Sequence, residues 1–176
     1  MFLYVMRHAE AVEGSDILQD EWRYLTEKGR STAEKMSSSI AKIGPKPRLT
    51  ITSPLTRAVQ TAEIAAEKAC RKNVVVASAL LLPGADVAEL VAHLKDCGDA
   101  KRVMLVGHEP QLGSLVARLL GRDDATVMLK KGACAALELD PDKDDKPAGF
   151  LWYLVPGKKI ITSFKKAFPN PDKQDK

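Results

Sequence analysis

Short apolar runs alternate with amphipathic segments from residue 2 to about residue 120, and this alternation restricts the folds open to the chain. The runs are Phe2–Met6, Leu49–Thr52, Asn73–Ala77 and Val103–Val106, each about the length of a buried strand. Strands that alternate with helices build a largely parallel sheet with helices on both faces. The pattern therefore predicts an α/β fold, a three-layer α/β/α sandwich with a mostly parallel central sheet.

The segments between these runs have helical spacing and recognisable helix ends. One helix is predicted to begin at Thr26 and to stop at Gly44-Pro45, and a second to begin with Ser53 as cap and Pro54 in the first turn. Two further helices are predicted over Asp86–Leu94 and from about Leu112 to Leu120, with Asp86 and Glu89 as a capping pair. Two late strands, Cys134–Leu139 and Phe150–Val155, are expected to form an antiparallel pair.

Length and composition favour one domain with a short basic extension. The chain has 176 residues and is 45% hydrophobic, which suffices for a core without disulfide or metal crosslinks. We expect a domain over residues 1–156 and a lysine-rich tail over 157–176, which carries six lysines and two aspartates and so the whole net charge of +4. The basic residues are not interleaved with aromatic ones, so nucleic-acid binding is not expected.

The lengths of the apolar runs and the spacing of the cysteines predict a cytoplasmic protein without a membrane anchor. No apolar run approaches the roughly 20 residues that a membrane-spanning helix needs, and the first apolar run is too short for a signal peptide. Three widely spaced cysteines form neither a disulfide framework nor a zinc pattern, which suits a reducing compartment. The oligomeric state is left open.

Polar residues follow three of the predicted strands directly. The segments are Arg7-His8-Ala9-Glu10, Ser53-Pro54-Leu55-Thr56-Arg57 and Gly107-His108-Glu109-Pro110. Ligands of parallel α/β sheets bind beyond the carboxyl ends of the strands, so we expect these segments to meet at one edge. Helix N-termini, arginines and histidines at one place suit a tetrahedral anion such as phosphate.

A neutral imidazole can also act as a nucleophile at such a place. If a backbone carbonyl holds one ring nitrogen, the lone pair of the other can attack phosphorus and form a phosphohistidine. Considered alone, His108 could be a hydrogen-bonded turn residue, and Arg57 could be a surface charge. Arg57, however, lies in a predicted first helical turn, where the positive end of the helix dipole disfavours a cation unless an anion is nearby. Arginines beside the histidines would repel a metal ion, so no metal and no other cofactor is predicted.

These segments resemble the signature of the histidine phosphatase superfamily, also called phosphoglycerate-mutase-like. Arg7-His8-Ala9-Glu10 resembles its first motif, Ser53 to Ala62 its second, and Val106-Gly107-His108 its third. Ala9 stands where the family usually has glycine. The short length, Trp22 to Gly29 and Leu82 to Asp86 resemble the SixA-like phosphohistidine phosphatase branch. The resemblance covers residues 1 to about 156 and implies a fold of the phosphoglycerate mutase type.

The resemblance also implies roles by position. His8 would be the nucleophile, Arg7, Arg57 and His108 would form the phosphate pocket, and Arg23 would be an additional substrate-binding arginine. Larger members of the superfamily take a general acid from the region between the second and third motifs. In this chain the candidates in that region are Asp86 and Glu89. Glu10 and Asp20, which precede the second motif, are weaker candidates.

The predicted function is hydrolysis of phosphohistidine on a signalling or phosphotransfer protein through a phospho-His8 intermediate. An imidazole leaving group depends less on a general acid than an alkoxide does. The weakness of the general-acid candidates therefore favours phosphohistidine as the substrate. Two alternatives are kept open: a phosphatase for small phosphate monoesters, and a phosphate-binding module without catalysis.

Overall fold

A single six-stranded sheet forms the centre of the molecule. The computed structural model describes residues 1–70, 74–97, 100–122, 127–140 and 146–169. Its strands are β1 (Phe2–Arg7), β2 (Leu49–Thr52), β3 (Val75–Ala77), β4 (Arg102–Gly107), β5 (Cys134–Glu138) and β6 (Gly149–Leu154). They lie in the order β3-β2-β4-β1-β5-β6. The first four run parallel, β5 is antiparallel to β1, and β6 is antiparallel to β5.

Helices cover both faces of this sheet, as the alternation of elements predicts. They are α1 (Glu27–Ile43), α2 (Thr56–Ala69), α3 (Val87–Asp96), α4 (Gln111–Leu119) and the short α5 (Phe164–Ala167). Side chains of β1 alternate between two separate cores: Leu3 and Val5 pack with residues of α3 and α4, and Tyr4 and Met6 pack with residues of α1 and α2. The predicted three-layer α/β/α sandwich is confirmed. Among the described residues, no helix has the length and apolar character needed to cross a membrane.

Two predicted helix starts had different outcomes. Thr26 caps α1 as expected, since its hydroxyl accepts a hydrogen bond from the Gly29 amide at 2.9 Å. The prediction for α2 is wrong, because this helix begins at Thr56 and its N-cap, Leu55, makes no side-chain hydrogen bond. The Ser53 hydroxyl instead accepts from the Leu55 amide at 3.3 Å and contacts His108 at 2.8 Å. Ser53 therefore belongs to the turn between β2 and α2.

Part of the lysine-rich segment after β6 packs against the rest of the domain. Ile161 forms an antiparallel bridge with Tyr153, and Phe168 is only 4% exposed. Phe164 and Phe168 contact Phe150 with ring centroids 5.7 and 6.3 Å apart. The contacts among these three phenylalanine rings explain this packing. A boundary at residue 156 remains a proposal, and residues 170–176 lie outside the described part.

Candidate active site

The three polar segments meet at the carboxyl edge of the sheet. Arg7 at the end of β1 pairs with Gly107 at the end of β4, and Thr52 at the end of β2 pairs with Val106. The next residues along the chain, His8, His108 and Ser53, therefore emerge side by side. They border an open cavity of about 340 Å³. The residues that line it are Arg7, His8, Asp20, Arg23, Arg57, Pro83, His108, Glu109 and Lys131.

His8 is held with one ring nitrogen free. Its Nδ1 lies 2.7 Å from the carbonyl oxygen of Ala9, an acceptor that fixes the proton on Nδ1. Nε2 then keeps its lone pair. Burial, together with the charges of Arg57 and Arg7, lowers the pKa of His8 to about 4 despite the bond to Ala9. The imidazole is therefore neutral at pH 7 and can act as a nucleophile through Nε2.

His108 lies against His8 and is also neutral. The two ring centroids are 5.0 Å apart, and Nε2 of His108 is 2.8 Å from the Ser53 hydroxyl. Burial and the nearby charges of His8 and Arg57 lower the pKa of His108 to about 3. Its buried Nδ1 has no partner among the described residues. Buried polar atoms are normally paired, so the atom is available for a ligand.

Arg57 and Arg23 converge on Asp20. The two terminal nitrogens of Arg57 donate to the backbone oxygen and the Oδ2 of Asp20, at 2.7 and 2.9 Å. Arg23 donates from Nη1 to the Oδ1 of Asp20 at 3.0 Å. Burial raises the pKa of Asp20, but the hydrogen bonds from both arginines outweigh it, and the pKa lies below its usual range. Asp20 is thus ionised. Its negative charge offsets the unfavourable interaction of Arg57, in the first turn of α2, with the positive end of the helix dipole.

Both guanidiniums remain capable of binding a substrate. Each terminal nitrogen carries two N–H groups, so a bond to Asp20 leaves a second donor on the same nitrogen. Arg57 is only 5% exposed, and its buried stem restricts where the guanidinium can lie. Asp20 therefore orients the two arginines beside the cavity.

Arg7 enters the cavity from the end of β1. Its Nη1 donates to the carbonyl oxygen of Leu129 at 2.8 Å, while its buried Nε has no partner among the described residues. Together with the unpaired nitrogen of His108, this donor makes the cavity suitable for an anion that accepts several hydrogen bonds.

The two carboxylates expected as general acids lie elsewhere. Asp86 accepts from the Ala88 amide at 2.7 Å and so caps α3, and Glu89 is exposed in the first turn of that helix. Neither residue lines the cavity. Capping accounts for the position of Asp86.

Sequence reasoning missed three residues of this site. Glu109 lies in one of the polar segments but has no predicted role, Lys131 is not among the predicted residues, and Ser53 is predicted as a helix cap. Glu109 could have been found, since it follows His108 directly in a segment that was already singled out. Lys131 carries no such signal, because it comes from the loop before β5. Within the described ranges, no cluster of three or more metal-ligating side chains is present.

Comparisons with known proteins show the family of the chain. Residues 3–80 match the profile of the histidine phosphatase superfamily (branch 1). An uncharacterized protein of Picosynechococcus sp. (strain ATCC 27264 / PCC 7002 / PR-6) is 31% identical over 140 residues, which are 78% of this chain and 84% of that protein. The chain therefore belongs to the histidine phosphatase superfamily and is a histidine-type phosphatase.

Two solved structures illustrate the similarity of the fold. The protein histidine phosphatase SixA, complexed with tungstate, has a TM-score of 0.77 and 26% identity, covering 89% of this chain and 97% of its own. A putative alpha-ribazole-5'-P phosphatase from Escherichia coli K-12 has a TM-score of 0.67 and 17% identity, covering 93% and 96%. The similarity to SixA assigns the chain to the SixA-like branch of the superfamily, and the fold is shared with the putative alpha-ribazole-5'-P phosphatase.

Proposed function

We propose that the protein hydrolyses phosphohistidine on a signalling or phosphotransfer protein, with His8 as the covalent carrier. One observation carries the proposal: the 2.7 Å contact between His8 Nδ1 and Ala9 leaves a neutral Nε2 beside a cavity with three arginines. Nε2 attacks phosphorus as the bond to the leaving nitrogen breaks. Water then attacks phospho-His8, and the electron pair of the P–N bond returns to His8.

The other side chains stabilise charge during these steps. Arg7, Arg57 and His108 contact the phosphoryl oxygens, and Arg23 adds a further donor at the substrate side. Their hydrogen bonds strengthen as negative charge spreads over the equatorial oxygens in the transition state. Neither step uses a metal ion or another cofactor.

The carboxylates around the cavity favour a nitrogen leaving group. Asp20 is ionised and bound by two arginines, so it does not hold a proton to donate. Burial raises the pKa of Glu109 to about 7, but its carboxyl oxygens accept backbone hydrogen bonds from Leu129 and Gly113, which hold the group in place rather than present it to a leaving group. A phosphate ester leaves as an alkoxide and depends strongly on a proton donor, whereas an imidazole leaves with less assistance. This difference supports phosphohistidine over a simple monoester.

Exposed apolar side chains on the chain segments that carry cavity residues support a protein substrate. Ile17 and Trp22, on the same loop as Asp20, are 96% and 64% exposed, and Met128, next to Leu129, is 71% exposed. A phosphoprotein has enough surface to cover such apolar side chains, and a small ester does not. We also propose a cytoplasmic location, where phosphorylated signalling proteins are available.

The test compares substrates at equal enzyme concentration. We expect the kcat/KM for a phosphohistidine protein or peptide to exceed that for p-nitrophenyl phosphate and sugar phosphates by more than tenfold. His8→Ala abolishes turnover of all three, while the control His93→Ala, on α3, leaves them unchanged. A higher kcat/KM for a sugar phosphate would instead assign the protein to small esters.

A further inference from the structure

Glu109 is a cavity residue to which the steps above give no role. It follows His108 directly and precedes α4, and its side chain is more than half buried. The Oε1 atom accepts a hydrogen bond from the Leu129 amide at 3.2 Å. A second backbone hydrogen bond comes from Gly113 in the first turn of α4. The carboxylate thus joins the start of α4 to the loop before β5.

The loop before β5 also makes a hydrogen bond with Arg7. The carbonyl oxygen of Leu129 accepts from Nη1 of Arg7 at 2.8 Å. Leu129 is fully buried, so neither polar group of its backbone can exchange its partner for bulk water. Its N–H is fixed by Glu109 and its C=O is fixed by Arg7. A displacement of the Leu129 backbone therefore moves the acceptor that orients the Arg7 guanidinium.

We propose that Glu109 is a positioning residue, whose carboxylate holds the Leu129 backbone so that the Leu129 carbonyl directs Arg7 at the phosphoryl group. The inference rests on the proposed placement of Arg7 in the phosphate pocket. It is independent of whether phosphohistidine or an ester is the natural substrate.

The charges around Glu109 give this role a pH dependence. Arg7 faces it from β1 and Tyr153 from β6, while His108 and Lys131 line the same cavity. Burial raises the pKa of Glu109 to about 7, against the opposing effects of the Leu129 hydrogen bond, Arg7 and Gly113. Protonation removes the negative charge and weakens an acceptor that two amides share. Positioning therefore requires the ionised form, and kcat/KM falls as pH decreases through about 7.

The opposite slope would mark a different role. If Glu109 donated a proton to the leaving group, the protonated form would be active and kcat/KM would fall as pH rises through about 7. The direction of the pH profile thus separates positioning from proton donation. His8, with a pKa of about 4, contributes its own acidic limb far below this range.

The experiment measures turnover of p-nitrophenyl phosphate and inhibition by orthovanadate in full-length variants from pH 5 to 9. Glu109→Gln keeps an amide oxygen but loses the charge, and we expect roughly tenfold weaker vanadate inhibition at pH 8, with the acidic limb near 7 absent. Glu109→Asp, which retains the charge, recovers part of the loss. Glu89→Gln, an exposed glutamate on α3, is the matched control and keeps the wild-type profile.

A double-mutant cycle decides whether Glu109 acts through Arg7. In an Arg7→Lys background, Glu109→Gln has little additional effect on vanadate inhibition, because the oriented guanidinium is already gone. Fully multiplicative effects of the two substitutions would overturn the proposal, as would a basic limb that disappears in Glu109→Gln. Phosphorylation of His8 is measured separately in wild type, so its failure would count against the proposed function alone.

Discussion

Replacement of Arg57 by alanine tests whether this residue contributes more to phosphate binding than to the stability of the fold. The guanidinium offers two terminal nitrogens to a phosphoryl group, and a hydrogen bond to a charged group contributes about 1.5–3 kcal/mol. Loss of a bidentate contact should therefore cost about 3–4 kcal/mol, or roughly 10²–10³-fold in kcat/KM. Removal of the guanidinium also frees Asp20, whose carboxylate then repels the phosphate.

The cost of Arg57→Ala to stability is smaller. Its ion-pair partner, Asp20, has a side chain that is 55% exposed, and such pairs contribute about 0–1 kcal/mol. The lost burial of two methylene groups adds about 1.6 kcal/mol. The sum is well below a typical unfolding free energy of about 5–15 kcal/mol, so the variant stays folded.

Steady-state kinetics, orthovanadate inhibition and circular dichroism together test both statements about Arg57. The matched control is Arg30→Ala, an exposed arginine on α1, which should change neither activity nor melting temperature. A folded Arg57→Ala protein with kcat/KM within threefold of wild type would refute the assignment of Arg57 to the phosphate pocket. Collapse of the circular dichroism signal would show that Arg57 is structural.

Two further substitutions test residues around the site. Asp86→Ala removes the cap of α3 and should lower the unfolding free energy by about 1 kcal/mol in a urea titration, with turnover unchanged; a tenfold loss of kcat would restore Asp86 as a proton donor. Gly29→Ala would place a Cβ atom in steric overlap with the carbonyl oxygen of Glu10, so we expect a loss of about 1–3 kcal/mol in the free energy of unfolding and a lower melting temperature. The control is Gly149→Ala, whose added Cβ atom would lie 3.7 Å from its nearest neighbour, the carbonyl oxygen of Glu138. Equal melting temperatures of Gly29→Ala and wild type would contradict the predicted clash.

Much of the fold could be predicted because its signals are local. Short apolar runs and helical spacing follow from the faces that each element buries, and apart from the start of α2 the described strands and helices lie near the positions that these patterns predict. The order of the strands is a different matter. It depends on which strands pair over long distances, such as β1 with both β4 and β5, and no local pattern encodes that choice.

The site was predictable where its residues follow strands. His8, Arg7, Arg57 and His108 surround one cavity because parallel strands end at the same edge. Asp20 was at most a weak candidate, since its function depends on a loop that brings it to Arg57 across 37 positions of sequence. Ser53 was misassigned because a serine before a proline has the same local pattern whether it caps a helix or contacts a distant histidine.

Formation of a phosphoryl bond to His8 is the most direct test of the account. The protein is mixed with a phosphohistidine peptide, quenched in alkali within the first turnover, and analysed by mass spectrometry with fragmentation. The account predicts an acid-labile, alkali-stable phosphoryl group on His8 in wild type, absent from His8→Ala and present in His93→Ala. Turnover with no label on His8, or full activity of His8→Ala, would contradict nucleophilic catalysis by this residue.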